Sequence, residues 1–246
     1  MKNSRADAGA GKIKHKTWRY RSPFMRCARF LARWIVLKPV LNIGFRIRVH
    51  EKQNLAKLRG YKTCIVVANH TSHLDAPLLM NKLPWRVVRN IATASAMDFW
   101  FKSRLRSLPM RLLMNTFPVE RGETNRYKGL SKQLLSENLS LLVMPEGKRS
   151  RSGKMGEFNT GTAALAIRYQ IPILPIAIVG AFEAWHPDSK MWRSGRPVVH
   201  VVFTPPLTPK KSETVDEFND RIWRAIRQTY DKTARKCDLP TQDEIG

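Results

Sequence analysis

The sequence predicts an α/β fold: a single domain with a mostly parallel sheet flanked by helices, preceded by an N-terminal amphipathic helical segment. Along most of the 246 residues, short apolar runs of strand length alternate with longer stretches of helical periodicity. Such alternation is typical of a parallel sheet covered by helices on both faces. The length fits one domain with a sizeable core, and a hydrophobic content of 43% excludes wholesale disorder.

The N-terminal region predicts a basic arm followed by an amphipathic helix. Residues 1–22 are polar and basic, lack the apolar core of a signal peptide, and are expected to form a flexible arm. Residues 23–45 are expected to form an amphipathic helical segment, in which residues 23–37 have helical periodicity. Lys38-Pro39 is expected to break or kink the helix, and residues 40–45 to add a short second apolar segment. One face of this helix carries Arg26, Arg29 and Arg33. The other face carries Phe24, Cys27, Leu31, Trp34 and Ile35.

The domain itself is expected to span residues 46–240. Its first strand is indicated by Phe45, Ile47 and Val49, which alternate with charged or polar residues in the manner of a half-buried strand. Further strands are expected near residues 62–68, 87–92, 115–119, 140–144, 173–178 and 198–203. Helices are expected near residues 75–82, 97–106, 125–137, 160–169 and 213–235.

The composition restricts the possible partners. A formal charge of +25 predicts affinity for polyanions, which include nucleic acid, anionic lipid and phosphorylated substrates. The three cysteines are widely spaced, so neither a metal-binding spacing nor a disulfide framework is indicated, which fits a reducing compartment. No stretch reaches the 18 or more uncharged apolar residues of a spanning helix, which disfavours a conventional transmembrane protein.

Charge is concentrated at the N-terminus, where residues 1–50 contain 13 Lys or Arg residues against the single acid Asp7. We therefore expect the segment at 23–45 to lie on an anionic membrane surface with its apolar side down and Arg26, Arg29, Arg33 and Trp34 at that surface. The expected location is the cytoplasmic face of the membrane, as a peripheral or monotopic protein. An alternative, which is compatible with the first, is a helix that caps the domain's own core.

The competing class is a basic nucleic-acid-binding protein, which the charge supports equally well. The sequence shows no helix-turn-helix, RNA-binding or zinc signature, so no nucleic acid is expected as a partner.

Two polar motifs follow predicted strands. His70 comes after the apolar run 64–68, with Asp75 five residues later, and a carboxylate can orient and stabilise an imidazole that acts as general base. The second motif follows the apolar run 139–143 and contains Gly147, Lys148 and Arg149. Gly147 allows a ligand to approach the backbone closely. Because the carboxyl ends of parallel strands share one edge of a sheet, we expect these motifs to form one site.

The chemistry indicated is acyl transfer to a hydroxyl beside a bound phosphate. Arg121, Lys148 and Arg149 supply charge suited to phosphate. Other roles remain open: His70 could be an ordinary polar residue, and Asp75 could cap a helix. A metal site at His70, His73 and Asp75 has no further ligand cluster to support it, so no metal is expected. Glu146 could orient an arginine or accept a hydrogen bond from a substrate hydroxyl.

Four ordered blocks of this sequence resemble those of the glycerolipid acyltransferases, whose best-known members are the 1-acylglycerol-3-phosphate acyltransferases. The resemblance covers roughly residues 30–205. The blocks are Asn69-His70 with Asp75, Phe117-Pro118-Val119-Glu120-Arg121-Gly122, Pro145-Glu146-Gly147-Lys148-Arg149-Ser150 and Ile171-Pro172-Ile173-Leu174-Pro175.

The resemblance implies that His70 is the base and Asp75 its partner. It places Arg121, Glu146, Gly147 and Arg149 around the acceptor's phosphate, and associates Pro172 with acyl-donor binding or the shape of the site. The implied reaction moves an acyl group directly from acyl-CoA or acyl carrier protein to the free hydroxyl of 1-acylglycerol 3-phosphate, giving phosphatidic acid in phospholipid biosynthesis. It needs no covalent acyl-enzyme, metal or cofactor.

Two departures from the family's pattern concern the acceptor. The third block usually has threonine where this chain has Lys148, and the lysine that often follows a phenylalanine is replaced here by Asn159 after Phe158. A lysophospholipid with a different head group is therefore an alternative acceptor.

Overall fold

The computed structural model describes residues 15–96, 104–119 and 129–245. The strands are β1 (Arg46–His50), β2 (Ile65–Ala68), β3 (Ile91–Ala96), β4 (Thr116–Val119), β5 (Ser140–Val143), β6 (Ile173–Val179) and β7 (Val198–Phe203). The α-helices are α1 (Trp18–Arg21), α2 (Pro23–Ala32), α3 (Lys38–Gly44), α4 (Asp75–Lys82), α5 (Trp85–Val88), α6 (Arg104–Met114), α7 (Leu130–Ser136), α8 (Gly161–Tyr169), α9 (Ala181–Ala184) and α10 (Val215–Lys236). A π-helical turn at Arg33–Leu37 and a 3-10 helix at Lys52–Leu58 complete the described elements.

The strands form one sheet in the order β1-β7-β6-β2-β5-β3-β4. All neighbouring strands are parallel except β6 and β7, which are antiparallel, so the predicted mostly parallel sheet is confirmed. Apolar clusters pack against it, one formed with α3 and α4 and the other with α8 and α10. The central strand β2 is fully buried, as expected of a parallel strand covered on both faces.

Some element positions differ from the prediction. The strand expected near 87–92 lies at 91–96, because Trp85–Val88 form a helical turn before it. Of the helix expected near 97–106, residues 97–103 lie outside the described part, and α6 continues to Met114. Of the helix expected near 125–137, the described part is α7.

The segment at 23–45 is helical as predicted, but Lys38-Pro39 does not end it. The π-helical turn leads directly into α3, which has Pro39 in its first turn. The wider π-helical turn directly before Pro39 accommodates a residue without an N–H inside this continuous helical segment.

The arginine stripe of this segment faces inward, which contradicts the predicted placement of Arg29 and Arg33 at a membrane surface. Arg29 is 4% exposed and donates to the carbonyls of Arg19 and Tyr20 at 3.1 and 3.2 Å. Arg33 is 8% exposed and donates from Nε to the Leu113 carbonyl at 2.7 Å. Arg26 is half-buried. Arg29 and Arg33 are thus buried with backbone carbonyls as their hydrogen-bond partners.

The apolar stripe faces outward. Among its side chains, Phe24 and Ile35 are more than two-thirds exposed and Trp34 is 54% exposed, and Ile43 of α3 extends the exposed apolar surface. The alternative of a helix whose apolar face caps the core therefore does not describe this stripe, although Leu37 and Leu41 are buried in the core. Among the residues described, no helix has the length and apolar character needed to cross a bilayer.

The predicted flexible arm at 1–22 lies partly outside the described residues. Within residues 15–22, Tyr20 is 2% exposed and belongs to a core cluster, and Thr17 donates to Glu137 at 2.8 Å. The prediction of a flexible arm is therefore wrong for residues 15–22.

Strand β1 lies at one edge of the sheet, next to β7. Its Arg46 and Arg48 side chains are exposed, whereas Ile47 and Val49 are partly buried against the core. This alternation is the pattern predicted for a half-buried strand.

Candidate active site

His70 and Asp75 form a hydrogen-bonded pair beyond the carboxyl end of β2. His70 Nδ1 lies 2.7 Å from Asp75 Oδ2; the His70 side chain is 24% exposed and that of Asp75 is fully buried. The same oxygen accepts from the N–H groups of Thr71 and Ser72 at 2.8 and 2.9 Å. Because an ionised carboxylate only accepts, Nδ1 carries the proton and Nε2 is the basic nitrogen of the neutral ring.

Asp75 does not cap helix α4, although the sequence left that role open. The helix begins at Asp75 itself, Leu74 holds the cap position, and no side chain makes a capping bond. The donors to Asp75 instead precede it in the chain, so its carboxylate closes the loop that carries His70.

Asn69 joins this loop to the sheet. Its side chain donates to the carbonyl of Ile178 at 2.9 Å and accepts from the Ile178 N–H at 2.8 Å. The buried amide thus replaces a backbone partner for β6 just past the end of β2. Sequence reasoning gave Asn69 no role, although a polar residue directly after a buried strand is a signal for such pairing.

Glu146 holds the main chain of His70 in place. Its Oε1 accepts from the His70 N–H at 2.7 Å, and Oε2 accepts from the Gly156 N–H at 3.0 Å. The His70 carbonyl accepts from the Ser150 N–H at 2.8 Å. The loop after β5 therefore binds both backbone groups of His70. Burial raises the pKa of Glu146 to about 7, although both amide donors oppose that shift.

The turn at Gly147 needs a residue without a side chain. Its φ is +73°, and an added Cβ would lie 3.3 Å from Asn159 Nδ2. Asn159 donates to the Pro145 carbonyl from both its backbone N–H, at 3.0 Å, and its side chain, at 2.7 Å. The asparagine that departs from the family's pattern therefore closes the base of this loop. Lys148 at its tip is exposed.

Arg149 and His73 meet beside the His70 loop. The guanidinium Nη1 of Arg149 contacts Nδ1 of His73 and lies 3.0 Å from Nε2. His73 Nε2 lies 2.9 Å from the Pro187 carbonyl, and the His73 ring is 5.2 Å from that of Trp185. Sequence reasoning considered His73 only as a metal ligand. Among the described residues, no group of three or more His, Cys, Asp or Glu side chains is placed to hold a metal ion.

Pro172, which was also associated with the site, is not brought to this cluster. Pro172 is buried at the amino end of β6, and its carbonyl accepts from the N–H of Ile65, the first residue of β2, at 3.0 Å. At roughly 3.3 Å per residue, this position is about 15 Å along the sheet from His70. Arg121 lies outside the described residues, as does Glu120.

Comparison with known proteins gives consistent matches. Residues 46–179 match the family model described as Acyltransferase. A probable 1-acyl-sn-glycerol-3-phosphate acyltransferase of Mycoplasma pneumoniae is 28% identical over 84% of this chain and 77% of its own length. The human 1-acyl-sn-glycerol-3-phosphate acyltransferase beta is 29% identical over 80% of this chain and 69% of its own length.

A solved structure has the same fold. The crystal structure of the 1-acyl-sn-glycerophosphate acyltransferase from Thermotoga maritima superposes with a TM-score of 0.65, covering 88% of this chain and 90% of that one. The sequence identity between the two is 20%, so the likeness concerns the fold.

Proposed function

Because the chain belongs to the Acyltransferase family, we propose that this acyltransferase moves a fatty acyl group from an acyl thioester to the free hydroxyl of 1-acylglycerol 3-phosphate. The product is phosphatidic acid. The observation that carries the proposal is the hydrogen bond of 2.7 Å between His70 and Asp75, which leaves His70 Nε2 as the base. The names of the relatives support this choice of acceptor.

In the proposed mechanism, His70 Nε2 removes the proton of the acceptor hydroxyl as the oxygen attacks the thioester carbonyl. Asp75 stabilises the imidazolium that forms, while its contacts with Thr71 and Ser72 hold it in place. The tetrahedral intermediate then collapses, the carbon–sulfur bond breaks, and the thiolate takes the proton from the imidazolium. The ring returns to its neutral state without a covalent acyl-enzyme.

The acceptor's phosphate is proposed to bind on the loop after β5 together with Arg121. Gly147, Lys148 and Arg149 lie on this loop, and an arginine can grip two phosphate oxygens at once. Since Glu146 and Ser150 tie the loop to the main chain of His70, a phosphate bound there lies at a fixed distance from the base. Glu146 is thus proposed to hold the phosphate-binding loop in place. This role differs from orienting an arginine or accepting from a substrate hydroxyl, which the sequence left open.

A membrane surface is the proposed source of the acceptor. The outward stripe of α2 and α3 presents aromatic and aliphatic side chains, and Lys38 Nζ lies 3.6 Å from the centre of the Trp34 ring. Such a surface suits the boundary between headgroups and acyl chains, and neighbouring cations add attraction to anionic lipid. We place the protein at the cytoplasmic face of the membrane, as a peripheral or monotopic enzyme.

The test is a panel of lysophospholipids with different head groups, each assayed with one labelled acyl chain carried by coenzyme A or by acyl carrier protein. The proposal expects 1-acylglycerol 3-phosphate to give the highest kcat/KM. A higher kcat/KM for another lysophospholipid would reject this acceptor but keep the reaction, an outcome that Lys148 in place of threonine makes worth testing. Failure to acylate any lysolipid with either donor would overturn the proposal.

A further inference from the structure

His73 is a second histidine of the catalytic loop, and the proposed reaction does not use it. The backbone on both sides of it is fixed, because Ser72 donates from Oγ to the Trp185 carbonyl at 2.7 Å and the Leu74 N–H donates to Ser72 Oγ at 3.2 Å. The half-buried ring is therefore held in one place between the loop after β5 and the loop after α9.

The two partners of the ring define its protonation. The Pro187 carbonyl can only accept, so the nitrogen that faces it at 2.9 Å, Nε2, carries the proton. The guanidinium of Arg149 can only donate, and its Nη1 lies near both ring nitrogens. Because Nε2 carries the proton, Nδ1 is assigned as the acceptor. Only the neutral ring has one donor and one acceptor, and this arrangement uses both.

We propose that His73 is a positioning residue, which in its neutral form holds the guanidinium of Arg149 in the orientation that binds the acceptor's phosphate. The inference rests on the proposed function, since it concerns the phosphate site of that reaction. A guanidinium loses several freely rotating torsions when it grips a phosphate, and a partner that fixes it beforehand lowers this entropic cost.

The surroundings of His73 favour the neutral ring. Burial is the largest cause that lowers its pKa below the ordinary 6.5, followed by the nearby charge of Arg149. The other groups facing it are His70, which lowers the pKa, and Asp75 and the Pro187 carbonyl, which raise it. The Trp185 ring at 5.2 Å would also favour the cation. A protonated ring would lose the acceptor at Nδ1 and repel Arg149, so acceptor binding should weaken in acid.

The experiment measures initial rates of the full chain with 1-acylglycerol 3-phosphate and acyl-CoA. Each substrate is varied in turn while the other is held at a fixed saturating concentration. His73→Phe removes the acceptor for Arg149, and we expect the KM for the acceptor to rise about 10- to 150-fold, the range for a lost hydrogen bond to a charged group. The KM for acyl-CoA and the kcat should change less than twofold. His73→Asn, whose side-chain oxygen can accept from Arg149, should restore most of the acceptor affinity and abolish the extra rise in KM at acid pH.

Arg149→Ala and the double variant with His73→Phe complete the cycle. If His73 acts through Arg149, adding His73→Phe to Arg149→Ala changes the acceptor KM no further. The inference would be overturned if the effects of His73→Phe and Arg149→Ala on the acceptor KM multiply in the double variant. It would also be overturned if His73→Phe lowers kcat and Tm and His73→Asn does not restore them. Either outcome leaves the proposed function standing. An unchanged acceptor KM in Arg149→Ala would instead remove Arg149 from the phosphate site of the proposed function.

Discussion

Glu146 Oε1 accepts a hydrogen bond from the backbone N–H of His70 at 2.7 Å, which joins two motifs that are 76 residues apart in the sequence. The carboxylate that the sequence marked as part of the phosphate site thus contacts the main chain of the proposed base. Its other oxygen accepts from Gly156 at 3.0 Å, so the carboxylate bridges two loops.

We expect Glu146→Gln to lower kcat through a displaced His70 loop, because one of its two acceptor oxygens becomes an NH₂ group facing a backbone N–H. Leaving that buried N–H without an acceptor costs about 1–3 kcal/mol of stability. Steady-state kinetics and urea unfolding measure the two effects. Glu157→Gln, a neighbouring acid elsewhere on the same connection, is the matched control. A variant with the stability and kcat of the parent would show that the bridge is dispensable.

The stability contributed by Glu146 should also depend on pH. Its pKa of about 7 in the folded state lies above the ordinary 4.5, so the folded state binds the proton more tightly. Its contribution is therefore complete below about pH 4.5 and is lost as the pH rises through 7. Between pH 5 and pH 8, the free energy of unfolding should fall more in the parent than in Glu146→Gln. Parallel falls would show that the carboxyl group titrates normally.

His70→Ala should lower turnover by roughly 10²–10⁴-fold, the usual range for a lost general base. The fold should remain, since the backbone contacts of His70 to Glu146 and Ser150 do not need its ring. Circular dichroism and Tm check the fold. The matched control is His50→Ala, because His50 lies on β1 and is separated from β2 by β7 and β6. Near-normal acyl transfer by His70→Ala would refute its role as base.

Arg121→Ala should raise the KM for a phosphorylated acceptor more than the KM for the acyl donor, because a lost arginine weakens recognition of phosphate oxygens. Initial rates with each substrate varied in turn give the two values. Arg168→Ala, an exposed arginine in the last turn of α8, is the control for a general loss of positive charge. Equal effects of Arg121→Ala on both KM values would contradict the proposed phosphate role.

Ile35→Glu should abolish binding to anionic lipid vesicles without lowering Tm, because this side chain is 70% exposed on the outward apolar stripe. Arg33→Ala should leave vesicle binding in place and destabilise the fold by about 1–3 kcal/mol, because the Leu113 carbonyl loses its hydrogen-bond donor. Vesicle flotation and thermal unfolding separate the two outcomes. Unchanged flotation of Ile35→Glu would show that the stripe does not contact lipid.

The sequence predicted the parts of the fold that depend on local pattern. The positions of six of the seven strands and the shared loop of His70 and Asp75 follow from apolar runs and from spacing, which the chain carries locally. The side of the helix that faces the domain could not be predicted this way. Periodicity separates Arg29 and Arg33 from the apolar face but does not show which face packs against the domain. The carbonyl of Leu113 that binds Arg33, for example, is 80 residues away in the sequence.

The remaining differences also arise from distant pairing. Pro172 was associated with the site by its motif, whereas the register of β6 against β2 places it at the opposite end of the strands. The bond between Glu146 and the His70 N–H could not be predicted, because every residue type except proline has a backbone N–H. His73 was considered only as a ligand, since its contacts with Arg149 and Pro187 depend on how two loops converge.

The exposed arginines of the edge strand have a consequence for the behaviour of the protein in solution. An open strand offers unpaired N–H and C=O groups to any other chain, and Arg46 and Arg48 place two positive charges along that row. A second copy that approached in register would meet the same charges. We expect these charges to oppose edge-to-edge pairing of β1 between copies, even where many copies crowd together.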